Sequence, residues 1–146
     1  MIGTCVDFNM NIQKVVPVVL RMWNGRLQIL VFRHPLAGIQ IVKGTVEHDE
    51  PLENAALREL SEESGIDNAS VEKFIGVYSP QQTGPDWYVF LCQVNETLAD
   101  DWIHHCADDG GLNFEFFWHP VFSLPTPEWH MIFQDLLKFI QDQLRN

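Results

Sequence analysis

The chain has 146 residues, 46% of them hydrophobic and 20% charged, proportions of a soluble globular domain that exclude disorder, collagen-like repeats and coiled coil. At about 100–200 residues per domain this length makes one unit over residues 1–146, with about the first 13 residues as a short N-terminal extension. Nine Lys and Arg against twenty Asp and Glu leave a formal charge of −11. Such a field repels nucleic-acid backbones and anionic membranes, so a polyanionic partner has to be met through a cation.

The first residues, MIGTCVDFNMNIQK, hold neither a basic n-region nor an apolar h-region. No apolar run approaches the roughly 18 residues of a membrane span, and a cytoplasmic protein is expected. Cys5, Cys92 and Cys106 form an odd set without a CxxC pair, which reads as reduced thiols rather than a disulfide framework. Residues 15–23 and 27–32 are rich in Val, Ile and Leu and flank Asn24-Gly25, a hairpin signal that predicts two antiparallel strands. Pro35 and Gly38 then break the chain before residues 39–42, a third short strand ending at Gly44. Residues 51–64 are rich in Glu, Ala and Leu, with Pro51 suited to a first helical turn and Gly65 to the position that ends one; this is the first helix.

Residues 74–78, 87–94 and 114–118 read as further strands, separated by SPQQTGPD and by a loop containing Asp108-Asp109-Gly110-Gly111. Apolar residues at Met131, Ile132, Leu136, Phe139, Ile140 and Leu144 carry the helical period, and predict an amphipathic helix over 127–144. Strands on both sides of a central helix, with a second helix closing the chain, give a mixed α/β or α+β sandwich.

The chemistry concentrates in residues 44–66. On the first helix Glu59, Glu62 and Glu63 stand at i, i+3 and i+4 and share one face. Leu57 and Leu60 take the arc toward the core, and Ala55 and Ala56 are expected to keep the acidic face low and open. Like charges at this spacing each cost a few tenths of a kcal/mol. Glu62 and Glu63 also sit in the last turn, where the macrodipole disfavours anions by about 0.3–1 kcal/mol. A solvated face would carry both penalties, whereas a bound divalent cation reverses them, and hard oxygen donors suit Mg²⁺ or Mn²⁺.

Gly44, Glu50, Arg58, Glu59, Leu60, Glu62, Glu63, Gly65 and Ile66 match G-x5-E-x7-R-E-U-x-E-E-x-G-U, with U apolar, at every fixed position. With residue frequencies near 5–7%, the chance of this at a given start is on the order of one in a billion. The chain therefore resembles the Nudix hydrolases over this 23-residue box. The resemblance implies a mixed sheet sandwiched between helices, with the box forming a loop, helix and loop. It implies that Glu59, Glu62 and Glu63, with the Gly44 carbonyl, hold one to three Mg²⁺ or Mn²⁺ ions. It also implies that Arg58 and Glu50 form an ion pair bracing the loop against the helix, a role that suits a bidentate Arg–carboxylate pair.

The activity implied is hydrolysis of a nucleoside diphosphate linked to another group: metal ions invert the repulsion between carboxylates and pyrophosphate and activate water for attack at phosphorus. Candidate substrates are dinucleoside polyphosphates, nucleoside triphosphates, nucleotide sugars and ADP-ribose. The family takes its base from the box or from a later loop, so Glu59 and Glu115 are both candidates. Arg33 and Lys43 are candidate phosphate ligands, and Trp87, following the 79–86 loop, is the candidate stacking platform. Ile41-Val42-Lys43-Gly44 departs from the more usual Pro-Gly-Gly, and its Lys-Gly step is similar to that of diadenosine polyphosphate hydrolases.

His104, His105, Cys106 and His119 offer zinc-type ligands, but adjacent extended histidines do not converge and no spacing is finger-like, so a polar loop is expected over 102–113. A non-catalytic nucleotide sensor would show a damaged box, and an RNA-end pyrophosphatase would show a basic stripe; neither feature is present. The partner expected is a small nucleotide-type diphosphate, with no membrane and no long nucleic acid. A homodimer is compatible with the sequence.

Overall fold

The computed structural model describes residues 12–107 and 110–146; residues 1–11, which include Cys5 and most of the expected N-terminal extension, and Asp108 and Asp109 lie outside the described residues. Ten elements follow in chain order: β1 (Lys14–Trp23), β2 (Arg26–His34), β3 (Gly38–Gln40), β4 (Gly44–Thr45), α1 (Leu52–Ser64), β5 (Ala69–Tyr78), β6 (Trp87–Val94), β7 (Trp102–Cys106), β8 (Leu112–Pro120) and α2 (Met131–Arg145). The sheet runs β5-β6-β1-β2-β8-β7, with β3 beside β2 and β4 beside β1. β1 and β6 are parallel and the other pairs antiparallel, so the sheet is mixed.

β1 belongs to two ladders. Lys14 to Val19 pair with β6, and from Leu20 to Trp23 the strand pairs with β2. On its other flank only Lys14 and Val15 meet β4. Pro17, which has no N–H to donate, falls in the gap between β4 and β2. The hairpin turn has Asn24 at φ 50° and Gly25 at φ 77°, both in the left-handed region that matches strand twist.

Alternation along the strands divides the core. Val15, Val19, Leu30, Phe32, Phe90 and Phe116 face α1, whereas Val16, Val18, Ile29, Val31, Val89 and Trp87 face α2. The result is an α/β/α sandwich with a mixed sheet. α1 enters this core through Ala55, Ala56 and Leu60, all fully buried. The two alanines therefore do not hold an acidic face open; their small size lets the helix sit close on the sheet. Leu60 is the large anchor of that contact, so Leu60→Ala is expected to cost about 2–5 kcal/mol of stability, read as a lower urea midpoint.

Several predicted boundaries and one predicted loop differ from the structure: β5 begins at Ala69 rather than 74, and β8 spans Leu112–Pro120 rather than 114–118. The third strand is split: β3 ends at Gln40, and the chain re-enters the sheet as β4 at Gly44. α2 begins at Met131 rather than 127, because residues 128–130 are tied to β3. Ile39 N–H donates to Glu128 O and His130 N–H to Ile39 O. His130 then caps the helix, its Nδ1 accepting from Ile132 N–H. Residues 102–106 form an edge strand, not a loop, paired from Trp102↔Phe116 to Cys106↔Leu112. Cys92 and Cys106 are both buried, and burial pushes the Cys92 thiol up to about 12. No helix among the described residues is long and apolar enough to cross a membrane.

Candidate active site

The box residues meet where β4 passes the acidic side of α1. Pro51 precedes the helix with an extended ψ of 143°, and its carbonyl accepts from Ala55 N–H at 3.0 Å. Gly65 ends the helix in the left-handed region, φ 83°, with its N–H on Ser61 O at 2.9 Å. Between these stops Glu59 turns inward and is buried, while Glu62 stays half-exposed.

Gly44 is what admits Glu59. A Cβ on Gly44 would lie 1.9 Å from both Glu59 Cδ and Oε2, so the carboxylate rests against the bare backbone of β4. Arg58 lies at the centre of the cluster. Its Nε and Nη2 donate to the two oxygens of Glu50 at 2.8 and 2.9 Å, and Nη2 also donates to Thr45 O at 2.9 Å. Nη1 donates to Glu59 at 2.7 Å and to Glu62 at 2.9 Å. One guanidinium thus ties the loop, β4 and two of the helix carboxylates together.

The electrostatics follow from these contacts. Hydrogen bonds from Arg58 hold the Glu50 carboxyl below its usual range. Glu59 goes the other way: burial pushes it up, against the pull of Arg58 and of a hydrogen bond shared with Glu63. Carboxylates gathered on one side of a helix repel one another when charged, and a divalent cation relieves that repulsion. The donor set fits such an ion in kind, since every group is a hard oxygen ligand. In the described arrangement Arg58 occupies Glu59 and Glu62, and among the described residues no three acidic, His or Cys side chains converge on one point.

A cavity of about 830 Å³ opens over this cluster, lined by Lys14, Lys43, Gly44, Arg58, Glu59, Glu62 and Glu63 among others. Of the residues singled out in the sequence, the structure brings together the box set and Lys43. Three lie elsewhere. Glu115 and Arg33 are cross-strand neighbours on β8 and β2, 3.5 Å apart, and line a separate 250 Å³ pocket. Arg33 is further bound by Glu128 through two hydrogen bonds. Trp87 is buried on the α2 side, against Phe133 and Tyr78, with the Lys43 ammonium 4.8 Å over its ring. Its position at the start of a central strand turns it into the core, so its faces stack on protein rather than standing open.

The sequence reading missed the support for the C-terminal turn of α1. Trp102 Nε1 donates to Ser64 O at 2.9 Å and His104 Nε2 to Glu62 O at 3.1 Å, while Ser64 Oγ donates to Leu60 O at 2.6 Å. The Trp102 and His104 donors satisfy carbonyls that a helix end leaves open, at the turn that carries Glu62 and Glu63. The signal was the period of two in Trp102, His104 and Cys106, inward, against Ile103 and His105, outward. As neighbours on a strand, His104 meets α1 and His105 meets Asn113.

A family model described as the NUDIX domain matches residues 12–138. The chain belongs to the NUDIX family. As a Nudix-type hydrolase it shares its fold with solved structures of low identity. A NUDIX hydrolase from Nitrosomonas europaea aligns with TM-score 0.63 and 16% identity over 92% of this chain and 73% of that one. An ADP-ribose pyrophosphatase from Streptococcus suis 89-1591 gives TM-score 0.60 and 12% identity over 92% of each chain. The C. elegans Ap4A hydrolase gives 0.56 and 17%, over 92% of this chain and 93% of that one. No curated protein sequence matches the chain. The Nudix box is thus placed on a Nudix fold, with its helix, α1, laid across the sheet.

Proposed function

We propose that this Nudix-type hydrolase cleaves a nucleoside diphosphate linked to another group, by attack of water at phosphorus. The observation that carries the reading is the placement of Glu59, Glu62, Glu63, Gly44 and Lys43 around one cavity in an otherwise strongly anionic chain. Neighbours of the same fold that act on ADP-ribose and Ap4A support a nucleotide-type diphosphate as the substrate class.

Glu59, Glu62 and Glu63, with the Gly44 carbonyl, would hold one to three Mg²⁺ or Mn²⁺ ions. Such ions, when bound, polarise the phosphoryl group and make water acidic enough to attack. Arg58 and Glu50 are the structural brace: the guanidinium keeps β4, the loop and the helix in register, and releases Glu59 and Glu62 as they turn to their ligand role. Lys43 binds a phosphate oxygen. The water oxygen bonds to phosphorus, the bridging P–O bond breaks toward the leaving phosphate, and the water proton passes to a box carboxylate. Glu59 is the candidate acceptor, because Glu115 belongs to a different pocket. The products are a nucleotide or sugar phosphate and the phosphorylated second group.

Purified protein is expected to hydrolyse at least one compound from a panel of dinucleoside polyphosphates, nucleoside triphosphates, nucleotide sugars and ADP-ribose in Mg²⁺ or Mn²⁺. Chelation should abolish turnover, and the added ion should restore it. Hydrolysis that continues in excess chelator, or an inert protein across the panel, rejects the reading.

A further inference from the structure

The cavity over the box has a positive side of which the hydrolytic reading uses only Lys43. Lys14 opens β1 and lies in register with Thr45 of β4 and Trp87 of β6, its Nζ donating to Thr45 Oγ1 at 2.6 Å. Lys43 precedes β4 and lines the same cavity, its ammonium held over the ring faces of Trp87 at 4.8 Å and Phe133 at 5.9 Å. Lys43 is half-buried, a costly position for an ammonium.

The chain has nine cations against twenty acidic residues. Even so, among the described residues neither of these two ammoniums forms an ion pair, although both line a cavity with Glu47, Glu59, Glu62 and Glu63. Arg58 pairs with Glu47, Glu59 and Glu62 instead. Two like charges are therefore kept side by side at one mouth, one of them desolvated on an aromatic surface. A dianionic ligand group would relieve both their repulsion and their burial.

We propose that Lys14 and Lys43 form one ammonium ledge that receives a phosphate beyond the scissile diphosphate, so that the chain prefers substrates with three or more phosphates in line. This rests on the reading of the cavity as the hydrolytic site and narrows its substrate class to nucleoside triphosphates and dinucleoside polyphosphates. Two-phosphate compounds such as ADP-ribose and nucleotide sugars span the acidic side and reach Lys43, but leave Lys14 without a phosphate. A cavity of this size has room for the longer chain.

The probes are inorganic tripolyphosphate and pyrophosphate, titrated calorimetrically into the full chain in Mg²⁺. Each added charge-assisted contact is worth about tenfold in affinity, so tripolyphosphate is expected to bind about tenfold or more tighter than pyrophosphate. Lys14→Met and Lys43→Met should each erase most of that preference, and Lys14→Arg should retain it. Lys14 is the cleaner position, since its hydrogen bond to Thr45 is exposed, whereas Lys43 packs on Trp87 and Phe133. Equal binding of the two probes by the unaltered chain, or a preference that survives in both Met variants, overturns the ledge. Mg²⁺ uptake and hydrolysis of the nucleotide panel, measured on the same preparation, report on the hydrolytic site separately. Normal turnover with no preference for the longer phosphate chain removes this inference and leaves that reading standing.

Discussion

Glu63→Gln is expected to lower turnover by about 10²–10⁴-fold while leaving the circular dichroism spectrum and the unfolding midpoint close to those of the unaltered chain. The magnitude follows from the role: a metal at a phosphoryl group supplies several kcal/mol of charge stabilisation, and each 1.4 kcal/mol or so is a factor of ten in rate. The retained fold follows from where the side chain lies. Glu63 is on the acidic side of α1, away from the core anchor Leu60, and Gln keeps its shape. The same substitution should weaken Mg²⁺ uptake in titration calorimetry. Turnover within about threefold of the unaltered chain would take Glu63 out of the ligand set.

Gly44→Ala separates the site from the fold more sharply. Its new methyl would stand 1.9 Å from the Glu59 carboxylate, so one of the two has to yield. The Glu59 carboxylate is the end of a flexible side chain, and Gly44 is not among the residues with positive φ. The expected response is a displaced Glu59 rather than an unfolded domain. Activity and Mg²⁺ affinity should fall by about 100-fold or more, with a stability change of about 1 kcal/mol. A loss of several kcal/mol with Mg²⁺ affinity intact would mean that Gly44 serves packing instead.

The contrast between these positions and others shows which parts of the molecule were readable in advance. The Val-, Ile- and Leu-rich runs on either side of Asn24-Gly25, the turn itself and the Gly65 stop are local signals, and each is found where local physics puts it. The family could be read because a spaced pattern of nine residues survives in one short stretch of chain. What could not be read depends on neighbours distant in sequence. Trp87 looks accessible behind a polar loop, yet pairing with β1 places it against α2. Arg33 and Glu115 look like free charged residues, yet sheet register makes them partners of each other. β7 was hidden because two histidines weaken its alternation, and only pairing with β8 reveals it as a strand. Ala55 and Ala56 show the same limit: small residues open a face or close a packing distance, and the partner surface decides which.

β1 serves both ladders, and its first residue stands beside residues 45 and 87. No hairpin or isolated helix therefore contains the groups that surround the cavity. The contacts that bring Lys14 beside residues 45 and 87 close long loops, whose entropic cost must be met before any reward arrives. Recognition of phosphate should accordingly emerge late during refolding, after the sheet has assembled, and a proteolytic fragment carrying only the box would be an acidic peptide without a pocket.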